Sequence, residues 1–336
     1  MSSSGVPEPA IASTLDLRPH ATFDSVSVLR PADEQPTLRN QLRLVWRILR
    51  AAAAGRPLVL YSSWGSLKPD LLALVLLGFL PADRRPPTVL VGEMWQPTPG
   101  RDRLERFVVR LADRAVGRYL VLSQAEADLL PQSWPVTADK VRVCPFYFAP
   151  HEHGLEPGDV PARGHYVFAG GDSFRDYQPL LEAAERMPDV PFLVVTKVLD
   201  GVPVPPNVQV RKAPYAEYVS LMRDADVVVV PVQRGLRRSA GILTFIMAMW
   251  LAKPTVVSDV LAVAEYIDDS RTGVLVDGSA AGYEAALRRL RDPENAAAVA
   301  DMAQAARRCV IDTYSFDAYV RCILDELASL PSPWYV

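Results

Sequence analysis

Two stretches of this chain carry residue types suited to holding an anion. Residues 239–241, Ser-Ala-Gly, precede the apolar run that opens at Ile242. Ser239 is a good N-cap, and Ala240 and Gly241 put no bulk over the first helical amides, whose N–H groups and positive dipole end attract phosphate. Arg237 and Arg238 stand directly before that helix, either as further phosphate contacts or as solvated loop charges. The second stretch is Gly170-Gly171-Asp-Ser-Phe-Arg175, at the end of the strand-like run 165–169. Glycines let the backbone come close to a ligand, and an arginine at such a mouth can pair bidentately with a diphosphate. A plain strand–helix turn accounts for the same glycines, so the pair gains its weight from bordering one cleft together.

Other motifs fail on context. Asp224-Ala-Asp226 has the look of a metal-binding Asp-x-Asp, but it precedes the hydrophobic strand Val227–Val230 where that motif should follow one. His151-Glu152-His153 lacks a third zinc ligand nearby. No Gly-x-x-x-x-Gly-Lys-Ser/Thr loop and no Gly-x-Ser-x-Gly elbow is present, which argues against a nucleotide hydrolase and an α/β-hydrolase.

The elements that must position these residues alternate along the chain. Strand-like runs at 26–29, 58–61, 88–91, 119–122 and 141–144 interleave with helical patterns near 37–54, 67–79, 101–116 and 124–130. Alternation of this kind predicts βαβ units and a parallel sheet covered on both faces. Residues 145–164 are dense in proline and glycine and read as a linker. Beyond them come strands at 165–169, 191–195, 208–210, 226–231 and 254–258, with helices at 177–187, 215–223, 239–251, 281–291, 294–312 and 316–329. The expected division is an N-terminal domain over 1–150 with a tail lacking regular structure at 1–20, a linker over 151–164, and a C-terminal domain over 165–315. A last helix and tail, 316–336, can cross back to the first domain. Two α/β domains of this kind place their ligand sites at the carboxyl ends of the strands, facing each other across a cleft.

Bulk composition agrees with that division, since 336 residues exceed one ordinary core. Cys144, Cys309 and Cys322 form neither a disulfide framework nor a zinc motif, so a reduced, cytoplasmic protein is expected. The first ten residues have no charged leader or apolar core of a secretory signal. The longest apolar run, Leu71–Leu80, is half the length of a membrane span, which needs about 20 residues. Net charge is −3, yet residues 1–150 hold 18 Lys and Arg against 14 Asp and Glu. Arg39, Arg43, Arg47 and Arg50 share one side of a helix, as do Arg103, Arg106, Arg110 and Arg114. Solvated helix faces explain these rows, and so does peripheral contact with an anionic membrane or acceptor. Nucleic acid is not an expected partner, because no aromatic residues are interleaved with the basic ones.

Several passages, in order, resemble the GT-B glycosyltransferases of family 4. Ala112-Asp-Arg-Ala-Val-Gly-Arg-Tyr-Leu-Val-Leu-Ser123, Gly170 through Ala183, Tyr215 through Pro231, Ser239 through Pro254, and Glu265 through Val276 are similar to successive motifs of those enzymes. The resemblance spans roughly 88–315 and implies two doubly wound Rossmann-like α/β domains. It also implies retaining, metal-independent transfer of a sugar from a nucleotide diphosphate sugar, the only co-substrate, with no other cofactor. By the same resemblance Gly170, Gly171, Arg175, Lys197, Arg238, Ser239, Ala240, Gly241, Met247 and Glu265 fall at donor-binding positions. Arg175 contacts the diphosphate, Lys197 is either a second phosphate contact or an exposed strand-end lysine, and Glu93, after the strand 88–91, either binds or polarises the acceptor hydroxyl or is structural. Ser239 and Met247 stand where the family has two glutamates, and a thioether cannot replace a carboxylate that binds ribose. The missing acceptor is worth about 1.5–3 kcal/mol, which also raises the reading of an inactive auxiliary homologue.

Overall fold

The computed structural model describes residues 11–15, 27–31, 33–61, 66–92, 97–98, 100–156 and 164–331. These form two compact units, one of Met1–Pro145 with Tyr319–Val336, the other of Phe146–Ala318.

The first unit holds β1 (Ala12–Ser13), β2 (Ser27–Val28), α1 (Leu38–Ala53), β3 (Leu58–Tyr61), α2 (Pro69–Leu77), β4 (Thr88–Val91), α3 (Asp102–Asp113), β5 (Arg118–Val121), α4 (Gln124–Ser133) and β6 (Val141–Val143). The strands make one parallel sheet in the order β2-β1-β3-β4-β5-β6. Leu58, Val59 and Leu60 are fully buried, as strands covered on both faces must be. One expectation is corrected: Ala12 and Ser13, read as part of a tail, are a buried strand within the sheet, between β2 and β3. A two-residue strand is too short for alternation to reveal it. Thr37 caps α1 and Ser123 caps α4, each accepting from the backbone N–H three residues on.

The second unit holds β7 (Val167–Gly170), α5 (Gln178–Glu185), β8 (Phe192–Val195), β9 (Val208–Arg211), α6 (Tyr215–Arg223), β10 (Val227–Val230), α7 (Ile242–Trp250), β11 (Thr255–Ser258), β12 (Val274–Val276), α8 (Ala280–Arg291) and α9 (Ala296–Thr313). The final helix, α10 (Phe316–Ala328), starts in this unit, and from Tyr319 it belongs to the first, where Glu326 pairs with Arg118 at 3.2 Å. The second sheet is also parallel, in the order β12-β11-β10-β7-β8-β9. Strands run outward in both directions from the β7–β10 pair, so that pair is the topological switch point, where open α/β sheets bind ligands beyond the strands' carboxyl ends. Phe148 packs on Trp250 and stacks on His153, while the His153 ring pairs with the Tyr215 hydroxyl at 2.6 Å.

Cys144 and Cys322, far apart in sequence, meet in the first unit as free thiols. Cys144 Sγ donates to the Tyr319 carbonyl and Cys322 Sγ to the Val143 carbonyl, both at 3.8 Å.

Candidate active site

The site is built at the switch point from the loops that follow β7, β8 and β10. After Gly170 the chain turns at Gly171, φ 109°, and at Phe174, φ 56°, before Arg175. The turn is stitched to the end of β10, with Asp176 N donating to the Pro231 carbonyl and Gln233 N to that of Phe174, both at 2.9 Å. Arg175 therefore sits on a fixed backbone. Its Nε donates to the Gly170 carbonyl at 3.2 Å, Nη1 to the Ser173 carbonyl at 2.8 Å and Nη2 to Thr244 Oγ1 at 3.0 Å. A guanidinium has five N–H donors. The three anchors leave one on Nη1 and one on Nη2, the pair that a phosphate accepts bidentately. Burial lowers the Arg175 pKa, an effect opposed by Tyr177, Tyr218 and Asp172.

Two glycines keep that guanidinium uncovered. A Cβ on Gly171 would stand 3.0 Å from Arg175 Nη2, and one on Gly241 3.5 Å from Nη1. Both residues have positive φ, 109° and 79°, where a side chain is strained. Gly170 is a glycine for another reason: the Tyr218 ring occupies the place of its Cβ, at 2.5 Å.

Asp172 ties the β7 and β8 loops together. Its Oδ1 accepts from Lys197 N at 2.7 Å and from Thr196 Oγ1 at 2.9 Å. The Lys197 N–H is the main cause holding the Asp172 pKa below the usual carboxylate range, with Thr196 and the charges of Lys197 and Arg175 adding to it against desolvation. Lys197 itself is exposed beside this hub. The Arg238 guanidinium lies over the Phe174 ring at 5.1 Å.

Two sequence expectations are corrected. Ser239 does not cap the helix: α7 begins at Ile242 with Gly241 as N-cap, because the left-handed turn at Gly241 cannot continue into Ala240 and Ser239 as helix. Ser239 and Ala240 are both buried, so the amides above the helix end belong to Gly241 and the first turn of α7. Met247 is 1% exposed and faces the core with Phe245 and Ile246, which removes it as a ligand contact. Glu265 ends a short 3-10 turn and lines a cavity of about 690 Å³ with Tyr266, Asp268, Arg308 and Tyr314. Glu93 lies outside the described residues.

Sequence reasoning passed over Asp172, Thr244 and Tyr218. Thr244 left a signal, as the one hydroxyl in an otherwise apolar helix. Asp172 and Tyr218 gave none, since their roles depend on which loops the sheet brings side by side. Among the described residues no three of His, Cys, Asp and Glu are grouped to hold a metal ion.

Residues 175–292, about a third of the chain, match the sequence profile of the family described as glycosyl transferases group 1. Solved structures share the two-domain Rossmann-like architecture. A glycosyltransferase from Rickettsia africae is 12% identical, with 91% of this chain and 86% of that one covered and a TM-score of 0.65. Anabaena HepE, solved with UDP and glucose, is 17% identical, with 91% and 86% covered and a TM-score of 0.66. TarM is 16% identical, with 86% of this chain and 58% of that chain covered and a TM-score of 0.63. No curated protein matches the sequence.

Proposed function

We propose that the protein moves a sugar from a nucleoside diphosphate sugar to an acceptor hydroxyl, with the second unit holding the donor. The observation that carries this is Arg175, anchored through three hydrogen bonds at the switch point with two N–H groups left for a diphosphate. In such a transfer the bond from the anomeric carbon to the diphosphate oxygen breaks, and its electron pair stays on the diphosphate. The acceptor oxygen bonds to that carbon and gives up its proton to the departing diphosphate oxygen. Charge that grows on the leaving diphosphate meets Arg175 and the N-terminus of α7, both fixed before the reaction so that little reorganisation opposes it, with the exposed Lys197 within the same loop cluster. These cations take the place a divalent metal has elsewhere, and we read the transfer as metal-independent and retaining.

Uridine is the base to test first, because Anabaena HepE was solved with UDP and with UDP-glucose. The first unit, with Glu93, is assigned the acceptor. A second reading, a homologue that binds nucleotide without turning it over, draws on Met247: that helix offers the ribose no carboxylate where the family has one. Incubation with UDP-, GDP- and dTDP-sugars, following release of the nucleoside diphosphate, separates the two. Release from one donor supports transfer. Binding without release supports the second reading, and neither binding nor release refutes both.

A further inference from the structure

The first unit exposes a layer of helices unlike an ordinary solvated surface. α1, α2 and α3 pack side by side, α2 against both neighbours. Each crossover runs the same way along the sheet, from β2 to β3, β3 to β4 and β4 to β5, so right-handed connections put all three on one face.

α1 buries Gln41, Leu44, Val45, Ile48 and Ala52. Its second apolar row, Leu38, Leu42 and Trp46, recurs every four residues beside that face and points outward. α3 repeats the pattern: Val109 and Ala112 face the core, and Leu104 and Phe107 do not. These five outward residues are between 51% and 65% exposed. Beyond each apolar row lies a basic one, Arg39, Arg43 and Arg50 on α1 and Arg103, Arg106 and Arg110 on α3, all exposed. The Arg50 guanidinium lies over the Trp46 ring at 5.2 Å. α1 contains no acidic residue at all. Of the three acids on α3, Asp102 is exposed at the start of the helix, Glu105 accepts from Thr98 N at 2.7 Å and Asp113 pairs with Lys140 at 3.2 Å.

From this arrangement we propose that the α1–α3 face docks on the surface of a bilayer rich in anionic lipid. The apolar rows enter the headgroup–acyl boundary, and the arginines pair with lipid phosphates. An apolar stripe flanked by cations, with an aromatic ring at its margin, is the pattern of a helix lying in a membrane interface. Charge complementarity favours this occupant over a second copy of the chain, because an isologous pairing sets arginine rows against arginine rows. No helix among the described residues is long and apolar enough to cross a membrane, so docking here means lying on the surface.

The proposal does not depend on the donor site, and one experiment keeps them apart. The full chain is sedimented with phosphatidylcholine vesicles and with vesicles that also contain phosphatidylglycerol, at low and high salt. Wild type is expected to pellet with the anionic vesicles and to be released by salt. Each arginine at such a surface is worth about fivefold in partition, so R39Q/R43Q is expected to lower it about 25-fold. Trp46→Gln and Phe107→Gln each lower it about tenfold, while Ile311→Gln, exposed on the second unit, leaves it unchanged. UDP binding and melting temperature, measured on the same variants, stay at the wild-type values. Equal partition on neutral and anionic vesicles, no pelleting, or variants that pellet like wild type would overturn the proposal. So would self-association that Trp46→Gln abolishes, since that marks an interface between copies.

Discussion

Gly241→Ala tests the geometry of the site at its narrowest point. Gly241 has φ 79°, and holding alanine in that left-handed region costs about 1–2 kcal/mol. The new Cβ would lie 3.0 Å from Val232 Cγ2 and 3.1 Å from Val230 Cγ1, both buried, so neighbouring strand residues must give way at a further cost of about 1–2 kcal/mol. A total of about 2–4 kcal/mol lowers the melting temperature of a unit this size by about 4–16 °C. The same methyl stands 3.5 Å from Arg175 Nη1, in the path of a phosphate approaching that nitrogen. Losing one charged hydrogen bond weakens nucleotide binding about ten- to 150-fold. Gly201→Ala is the control, because Gly201 has φ 73° and open space around its Cβ position. It should lose only the conformational part and bind UDP as the parent does. Melting followed by circular dichroism, with UDP titrations on each variant, reads both effects. If Gly241→Ala melts with Gly201→Ala and keeps its UDP affinity, the geometry argued around Arg175 is refuted.

Arg175→Gln should lose about ten- to 150-fold in UDP affinity by calorimetry, and Arg175→Lys should recover only part, since an ammonium cannot span three anchors and still present a fork. Lys197→Ala removes an exposed charge and should weaken UDP about two- to fivefold with the melting temperature unchanged. Asp70→Asn concerns stability. Burial is the main cause pushing the Asp70 carboxyl up to about 6, and Thr14 and the Arg30 charge offset only part of it. Thr14 lies close enough to act on the carboxyl, yet among the described residues neither carboxylate oxygen has a partner in good hydrogen-bond geometry. A raised carboxyl pKa means that the fold is most favoured below about pH 4, with that advantage lost as pH rises through about 6. The charged form thus costs at most about 3 kcal/mol at neutral pH. Asp70→Asn should raise the urea midpoint at about pH 7.5 and leave it unchanged at about pH 4, where wild type is already protonated.

The fold was largely legible because the strands announce themselves. Val227–Val230 and Leu58–Tyr61 are continuous apolar runs, the mark of parallel strands covered on both faces. Ala12–Ser13 and Val274–Val276 are too short to show a period. For the site, Arg175 and Gly171 could be chosen from sequence because the glycine turn and the arginine lie within one loop. The start of α7 could not: Ser239 has the composition of a cap, but the sign of φ at Gly241 decides where the helix begins. Met247 shows a different limit: the apolar pattern of Ile242, Phe245, Ile246 and Met249 favours a core position while the family correspondence favours a ligand contact, and the burial of Met247 follows the local pattern.

The central claim is that the β7, β8 and β10 loops hold a nucleoside diphosphate on Arg175. Calorimetric titration of UDP, GDP and dTDP into wild type and Arg175→Gln, with a metal chelator present, tests it most directly. One of the three should bind wild type at a single site, and Arg175→Gln should bind it far more weakly. Binding of none, or equal binding by both proteins, would contradict the account.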